Sequence, residues 1–398
     1  MRVLMVICKF VAGGAETTAL ELVRALEGRE HEFTVVSIQR GGVLGAAFTR
    51  SAARVYEGVA KFRRDPLGLW RVARIIRRHR IDLVLCVSTA RDAMFYSFLA
   101  PAAALRRLPR ICWCTSRPGG QAGRFVKALR GYCRLGLLNA IVCISRLQRR
   151  MMVDRGLGRR HLPLIRNGVD IERIALAVPT TLPLPAGKRI IVQVANITPD
   201  KDYATLITAA GLLRQRRDDF HLVLVGRGTD SPEIRQAVRD AGLSGGGDAG
   251  NATDRKKAPV KKESPPASHK SLQNPAVTLV GHRDDVAGIL AAADLFVLAT
   301  RGEVSSIAVL ESFGAGVAVI VSDIPAFDEM LTDGCEGLRV SPGDPQSLAD
   351  AIGRLLDDDE LCAELAARAR RRVRQFTQER MAACFDRLFR CVARESGQ

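Results

Sequence analysis

The sequence predicts an α/β chain built from two Rossmann-like domains that face each other across a cleft. Three observations carry that prediction. At 398 residues the chain is too long for one ordinary core and is sized for two domains of about 150–200 residues each. Short β-rich runs alternate with segments of helical period, as in a parallel sheet wrapped by helices. The alternation breaks off near residue 172 and restarts near 189, so the chain makes two sheets.

The first sheet begins with VLMVI (3–7), followed by the helical pattern of 16–26 and the run FTVVSI (33–38). A helix is expected over 68–80, then strands at 82–87, 110–115 and 140–145. Residues 172–188 carry Pro, Thr and few helix signals, and read as a linker. The second set comprises strands at 189–195, 221–226, 277–281 and 294–300, with helices at 203–216, 232–242 and 284–293 between them. From about 346 to 394 the pattern is helical. The expected organisation is thus an N-terminal domain over 1–178, a second domain over 179–376, and a last helix over 377–398 that returns to the first domain. Residues 244–275 are rich in Gly, Pro, Ser and Lys without apolar periodicity. They read as a disordered surface insertion, where the sequon at Asn251 carries little meaning.

Composition narrows the class. Hydrophobic residues make up 47% and charged residues 26%, a globular balance. The N-terminus lacks a cleavage signal and reads as a first strand, and the apolar stretch 93–105 is too short to span a bilayer. A cytoplasmic chain is expected, peripheral at most to the inner membrane face. The ten cysteines are irregularly spaced and read as reduced, buried thiols. Cys112 and Cys114 lack a second ligand pair at zinc spacing. The net charge of +18 is unevenly placed: residues 1–178 hold 32 Lys/Arg against 12 Asp/Glu. A basic surface of that size attracts nucleic acid or an anionic membrane, or is simply an Arg-rich solvated face. The arginines of 74–80 read as the polar side of a helix whose apolar side holds Trp70 and Ile75. Nucleic acid is disfavoured as a partner, because aromatic residues are only 5% and no binding module is recognisable.

The stretch GEVSSIAVLES (302–312) follows a buried-strand pattern and carries two acids, Glu303 and Glu311. Ser305 and Ser306 are placed to cap a helix whose first turn offers free N–H groups to an anion. Such a helix start, at the carboxyl end of a parallel strand, suits a diphosphate, with a ribose near one acid and a sugar near the other. Taken alone, the two acids also read as a cap and a solvated helix residue, Lys201 as a surface lysine, and Gly13 and Gly14 as a tight turn.

The spacing Glu303-x7-Glu311, followed by SFGAGVAVIVSDIPAFDEMLTDGCEGLRV, resembles the nucleotide-sugar half of the retaining glycosyltransferases of family 4, which have the GT-B fold. GGAE (13–16), NGVD (167–170), VANITPDKDYATLITAA (194–210), LVGRG (224–228), VTLVGHRDDV (277–286) and AADLFVLAT (292–300) extend the resemblance in order. It implies that Lys201 pairs with the donor diphosphate, that backbone N–H groups at Gly14 and at Ser306, Ile307 and Ala308 close around the phosphates, and that Gly13 permits the loop. It further implies Glu311 at the ribose and Glu303 at the transferred sugar, with neither metal nor cofactor beyond the donor itself. Two positions depart from the family. Asn196 stands where an arginine is usual, and Thr115, Ser116 and Arg117 stand where a histidine is usual, leaving Arg117 as the acceptor-side candidate.

The implied activity is transfer of a hexose or N-acetylhexosamine from a nucleotide diphosphate sugar, UDP favoured. The implied acceptor is a glycan or lipid-linked glycan of a cell-surface polysaccharide, with the basic N-terminal half against an anionic membrane. A sugar-nucleotide epimerase of the same fold, or a degenerate non-catalytic partner subunit, is the alternative.

Overall fold

The computed structural model describes residues 1–396 apart from 29, 88–90, 116–121, 183 and 245–274. The first sheet comprises β1 (Arg2–Ile7), β2 (Glu32–Ser37), β3 (Arg54–Tyr56), β4 (Leu83–Val87), β5 (Arg110–Cys114) and β6 (Ala140–Cys143). The second comprises β7 (Arg189–Val194), β8 (Phe220–Val225), β9 (Val277–Gly281), β10 (Leu295–Leu298), β11 (Ala318–Ser322) and β12 (Leu338–Val340). Their orders are β3-β2-β1-β4-β5-β6 and β12-β11-β10-β7-β8-β9, and every pairing is parallel. Central strands such as Val3–Ile7 and Leu295–Leu298 are buried throughout, as parallel strands covered on both faces must be. The neighbours β1 and β4, and β7 and β10, mark where the chain reverses direction across each sheet, and ligands bind outside the carboxyl ends of strands at such points.

The chain crosses between the domains twice, and the crossings pair. Val169 N–H donates to Phe376 O at 2.9 Å and Gln378 N–H to Val169 O at 3.0 Å. Gly168 permits this approach, since a Cβ there would sit 2.3 Å from Thr377 O. Beyond the crossing, Thr377 caps the last helix, Gln378–Glu395. Its Met381, Phe385, Phe389 and Val392 recur at helical spacing and join the core of the N-terminal domain. Phe385 packs on Trp113 with ring centroids 4.5 Å apart. Beside the crossing, Glu329 of the second domain accepts from Arg166 of the first at 3.1 and 2.7 Å, and from the Arg146 N–H.

Several expectations change. Trp70 does not share an apolar side with Ile75: Trp70 is 57% exposed and Ile75 is buried. Five helical positions correspond to a rotation of about 140°, so the two point to different faces. The linker contains a short helix, Ile171–Ala175, because Asp170 caps it by accepting from Arg173 N–H at 2.9 Å. Residues 91–103, read only as a short apolar run, form a helix. Cys384 and Cys391 are exposed rather than buried. The predicted insertion, with Asn251, lies outside the described residues apart from its two ends. Among the described residues no helix is long and apolar enough to cross a membrane.

Candidate functional site

The site forms where two adjacent strands of the second sheet end. The loop leaving β7 carries Lys201 and the loop leaving β10 carries Glu303, and backbone bonds stitch the two loops together. Asp202 N–H donates to Ala299 O at 3.0 Å, Arg301 N–H to Asp200 O at 2.8 Å, and Thr300 Oγ1 to Asp200 O at 2.7 Å. Arg301 also donates to the Asp202 carboxylate at 2.8 Å. Within this frame the Lys201 ammonium pairs with Glu303 Oε2, the side chains being 16% and 18% exposed. The other carboxylate oxygen, Oε1, accepts from Val304 N–H at 3.1 Å. Val304 itself is buried in the core of the N-terminal domain, so this loop ties the second sheet to the opposite wall.

Three residues later the chain becomes the helix Ile307–Ala315. Ser306 is its N-cap, its Oγ accepting from Val309 N–H at 3.4 Å, and Gly316 ends it in the left-handed region at φ 73°. That cap serves the third helical N–H, so those of Ile307 and Ala308 have no intrahelical acceptor and point out of the helix start. The glycine loop after β1 closes over them. A Cβ on Gly14 would lie 3.6 Å from Ile307 Cγ1, and one on Gly13 would lie 2.9 Å from Glu16 Oε2. The structure thus brings Gly13, Gly14, Ser306, Ile307 and Ala308 to one place and sets the Lys201–Glu303 pair beside them.

Glu311 lies on the next turn of the helix. Burial pushes its carboxyl up to about 7; Arg173 opposes this shift and Glu21 adds to it. Among the described residues its side chain makes no hydrogen bond or ion pair, although the residue still meets some solvent. A polar group brought into the cleft would find an acceptor, or when protonated a donor, without a competing partner.

Asn196 faces the N-terminal domain. Its Oδ1 accepts from Arg227 N–H at 2.9 Å, and its Nδ2 reaches Ala12 O at 3.5 Å. The Arg227 guanidinium donates to the same carbonyl at 3.3 Å. Arg227 is exposed and, among the described residues, has no ion pair. Its placement depends on Gly226, which has φ 140° and approaches β7 so closely that a Cβ would fall 1.9 Å from Ala195 O. The Glu16 carboxyl is nearby: burial pushes it up to about 6, and its own backbone N–H and Arg227 pull it down. Arg227 was not singled out from the sequence, although it lies within LVGRG; the signal was a cation where that turn meets the cleft. Arg117 and Ser116 lie outside the described residues. Among the described residues no group of three His, Cys, Asp or Glu is placed to hold a metal ion.

Two family profiles divide the chain between them. "Glycosyltransferase Family 4" matches residues 12–173 and "Glycosyl transferases group 1" matches residues 179–372. The chain belongs to glycosyltransferase family 4. Two curated relatives each match over nine tenths of this transferase. A phosphatidyl-myo-inositol mannosyltransferase of Mycolicibacterium smegmatis is 27% identical, over 96% of this chain and 91% of its own. The lipopolysaccharide core biosynthesis glycosyltransferase LpsE of Rhizobium meliloti is 24% identical over 92% and 93%. Among solved structures, HepE of Anabaena in complex with UDP and glucose superimposes with a TM-score of 0.78, at 18% identity over 98% of this chain and all of that one. That likeness shows the transferase to have the GT-B fold of two facing α/β domains.

Proposed function

We propose that the transferase moves a hexose or N-acetylhexosamine, with retention of anomeric configuration, from a UDP-sugar to a glycan or lipid-linked glycan of a cell-surface polysaccharide. The observation that carries this reading is the convergence of Lys201, Glu303 and the open helix start at Ser306–Ala308 on the glycine loop. Lys201 and Arg227 hold the donor diphosphate, one as a point charge and the other as a planar fork. The N–H groups of Gly14, Ile307 and Ala308 add fixed dipoles where negative charge grows as the sugar leaves. Glu311 takes the ribose hydroxyls, and Glu303, oriented by Lys201 and Val304 N–H, takes the hydroxyls of the transferred sugar. In the transfer the bond from the anomeric carbon to the phosphate oxygen breaks, and the acceptor oxygen bonds to that carbon from the same face. The acceptor proton passes to the departing phosphate oxygen. The charge needed for this is then supplied by the protein's own cations and dipoles.

The named activities of the mycobacterial and rhizobial relatives support a lipid or lipid-borne acceptor, and the UDP bound to HepE supports the base. The basic N-terminal half would then face an anionic membrane from the cytoplasmic side. The test is turnover of a panel of UDP- and GDP-sugars with and without candidate acceptors, following the product's anomeric proton by NMR. Acceptor-dependent release of UDP with the donor's anomeric configuration kept is expected. Isomerisation without any acceptor would favour the epimerase instead, and donor binding without turnover would favour a non-catalytic partner subunit.

A further inference from the structure

The loops that carry Lys201 and Glu303 meet where the second sheet stops pairing. The β7–β10 ladder ends at Val192 and Phe296, and the β10–β11 ladder at Leu298 and Val321. Just beyond, the backbone N–H groups of Ala299 and Thr300 are buried and need acceptors. Side chains of the neighbouring strands supply them. Gln193 Oε1 accepts from Ala299 N–H at 3.0 Å, and Ser322 Oγ accepts from Thr300 N–H at 2.9 Å. Gln193 is the polar residue of the otherwise aliphatic run Ile190–Val194, and Ser322 ends the aliphatic strand β11. Both are buried, where an unbonded polar group would cost stability, so each serves where the ladder gives out.

Thr300 is the centre of this polar plug. It sits opposite Lys201 in an isolated antiparallel bridge and is 0% exposed. Its hydroxyl donates to Asp200 O, in the Lys201 loop, at 2.7 Å. The same oxygen accepts from Gly302 N–H, in the turn that leads to Glu303, at 3.4 Å, and lies 3.1 Å from Gly302 O. One hydroxyl therefore holds both loops. The Lys201 side has further ties, through Asp202 N–H to Ala299 O and through the Tyr203 hydroxyl to Ala195 O. Gly302 N–H, among the described residues, bonds to Thr300 alone, so the turn before Glu303 is set chiefly by this oxygen.

We propose that the Thr300 hydroxyl is the positioning group that fixes Glu303 against Lys201, and through Glu303 the hydroxyls of the transferred sugar. This rests on the role given to Glu303 above and deepens it. Thr300 is sealed beneath the two loops and touches no substrate; it acts only through the turn 300–303. A misplacement of about 1 Å at the reacting centre costs on the order of 100-fold in rate. The diphosphate, by contrast, is held by Arg227 and the N–H groups of Ile307 and Ala308, none of which bonds to Thr300. Loss of the hydroxyl should therefore slow transfer while leaving donor binding nearly intact.

The test compares Thr300→Val, which keeps the shape and removes the hydroxyl, with Thr300→Ser, which keeps the hydroxyl. Release of UDP or GDP from a panel of UDP- and GDP-sugars, with water as the acceptor where no glycan serves, gives kcat and KM, and calorimetry gives donor affinity. In Thr300→Val kcat is expected to fall about 10- to 100-fold with donor affinity held within about threefold, and Thr300→Ser to restore kcat. Hydrogen exchange of the peptide over 299–304 needs no donor: it is expected to quicken in Thr300→Val and to match the parent in Thr300→Ser. Melting curves show that the variants fold, and Ser322→Ala, which frees the Thr300 N–H, should lower kcat likewise and replaces Thr300→Val if that variant does not fold. An unchanged kcat on loss of the hydroxyl, a serine variant as slow as the valine one, or a loss of donor affinity in place of kcat overturns the proposal. Should the intact chain bind no donor, the donor reading falls by itself, and exchange unaltered in Thr300→Val then overturns the hydroxyl's hold on the turn.

Discussion

The guanidinium of Arg227 donates to the carbonyl of Ala12 across the cleft at 3.3 Å, and Asn196 reaches that same carbonyl while holding the Arg227 backbone. Arg227 is the cation of this site without an acidic partner among the described residues, since Lys201 is already matched by Glu303. Replacing Arg227 with alanine should therefore weaken donor binding by about 10- to 100-fold, the effect of losing one charged hydrogen bond of about 1.5–3 kcal/mol. Calorimetric titration with UDP-sugars measures this, and an unchanged affinity would remove Arg227 from the site.

Glu311→Gln separates stability from function. The folded carboxyl titrates near 7, above its ordinary 4.5, so the folded state holds the proton more tightly than the unfolded chain. Stability contributed by the protonated form is present below about 4.5 and is lost as pH rises through 7. At pH 8 the glutamine variant should be more stable than the parent, by on the order of 1–3 kcal/mol, while its donor affinity falls. Denaturant midpoints at pH 5 and 8 check this, and a variant equally less stable at both would contradict it.

Gly226→Ala should destabilise the chain by about 2 kcal/mol or more and weaken donor binding with it. At φ 140° the new Cβ would press on Ala195 O, displacing the turn that carries Arg227 and the loop that leads to Lys201. Circular dichroism melts and donor titration are the readouts.

Much of this was legible from residue order. The capped helix at Ser306 and the β-α alternation are local signals, and they fell where the pattern placed them. Trp70 was misplaced because hydrophobic type was read ahead of the angle that five helical positions impose. The short helix Ile171–Ala175 was hidden by the surrounding Pro/Thr composition, although its Asp170 cap was in plain view. Arg227 was in view within LVGRG, but its contact was not legible. Its partner Ala12 lies in the other domain, and their meeting depends on how the two sheets close, which no local spacing encodes.

Glu329→Ala should lower stability by about 1–2 kcal/mol, because the carboxylate is 14% exposed and anchors Arg166 across the interdomain crossing. Urea unfolding reads the loss. Donor affinity should change far less than in Arg227→Ala, since Glu329 sits beside the interdomain crossing rather than among the groups proposed to hold the diphosphate.

The measurement that tests the central claim most directly is calorimetric titration of the intact chain with a panel of UDP- and GDP-sugars, beside Lys201→Ala and Glu311→Ala. The account predicts micromolar binding of one UDP-sugar, lost in both variants. No binding of any donor by the intact chain, or binding untouched by either substitution, would contradict it.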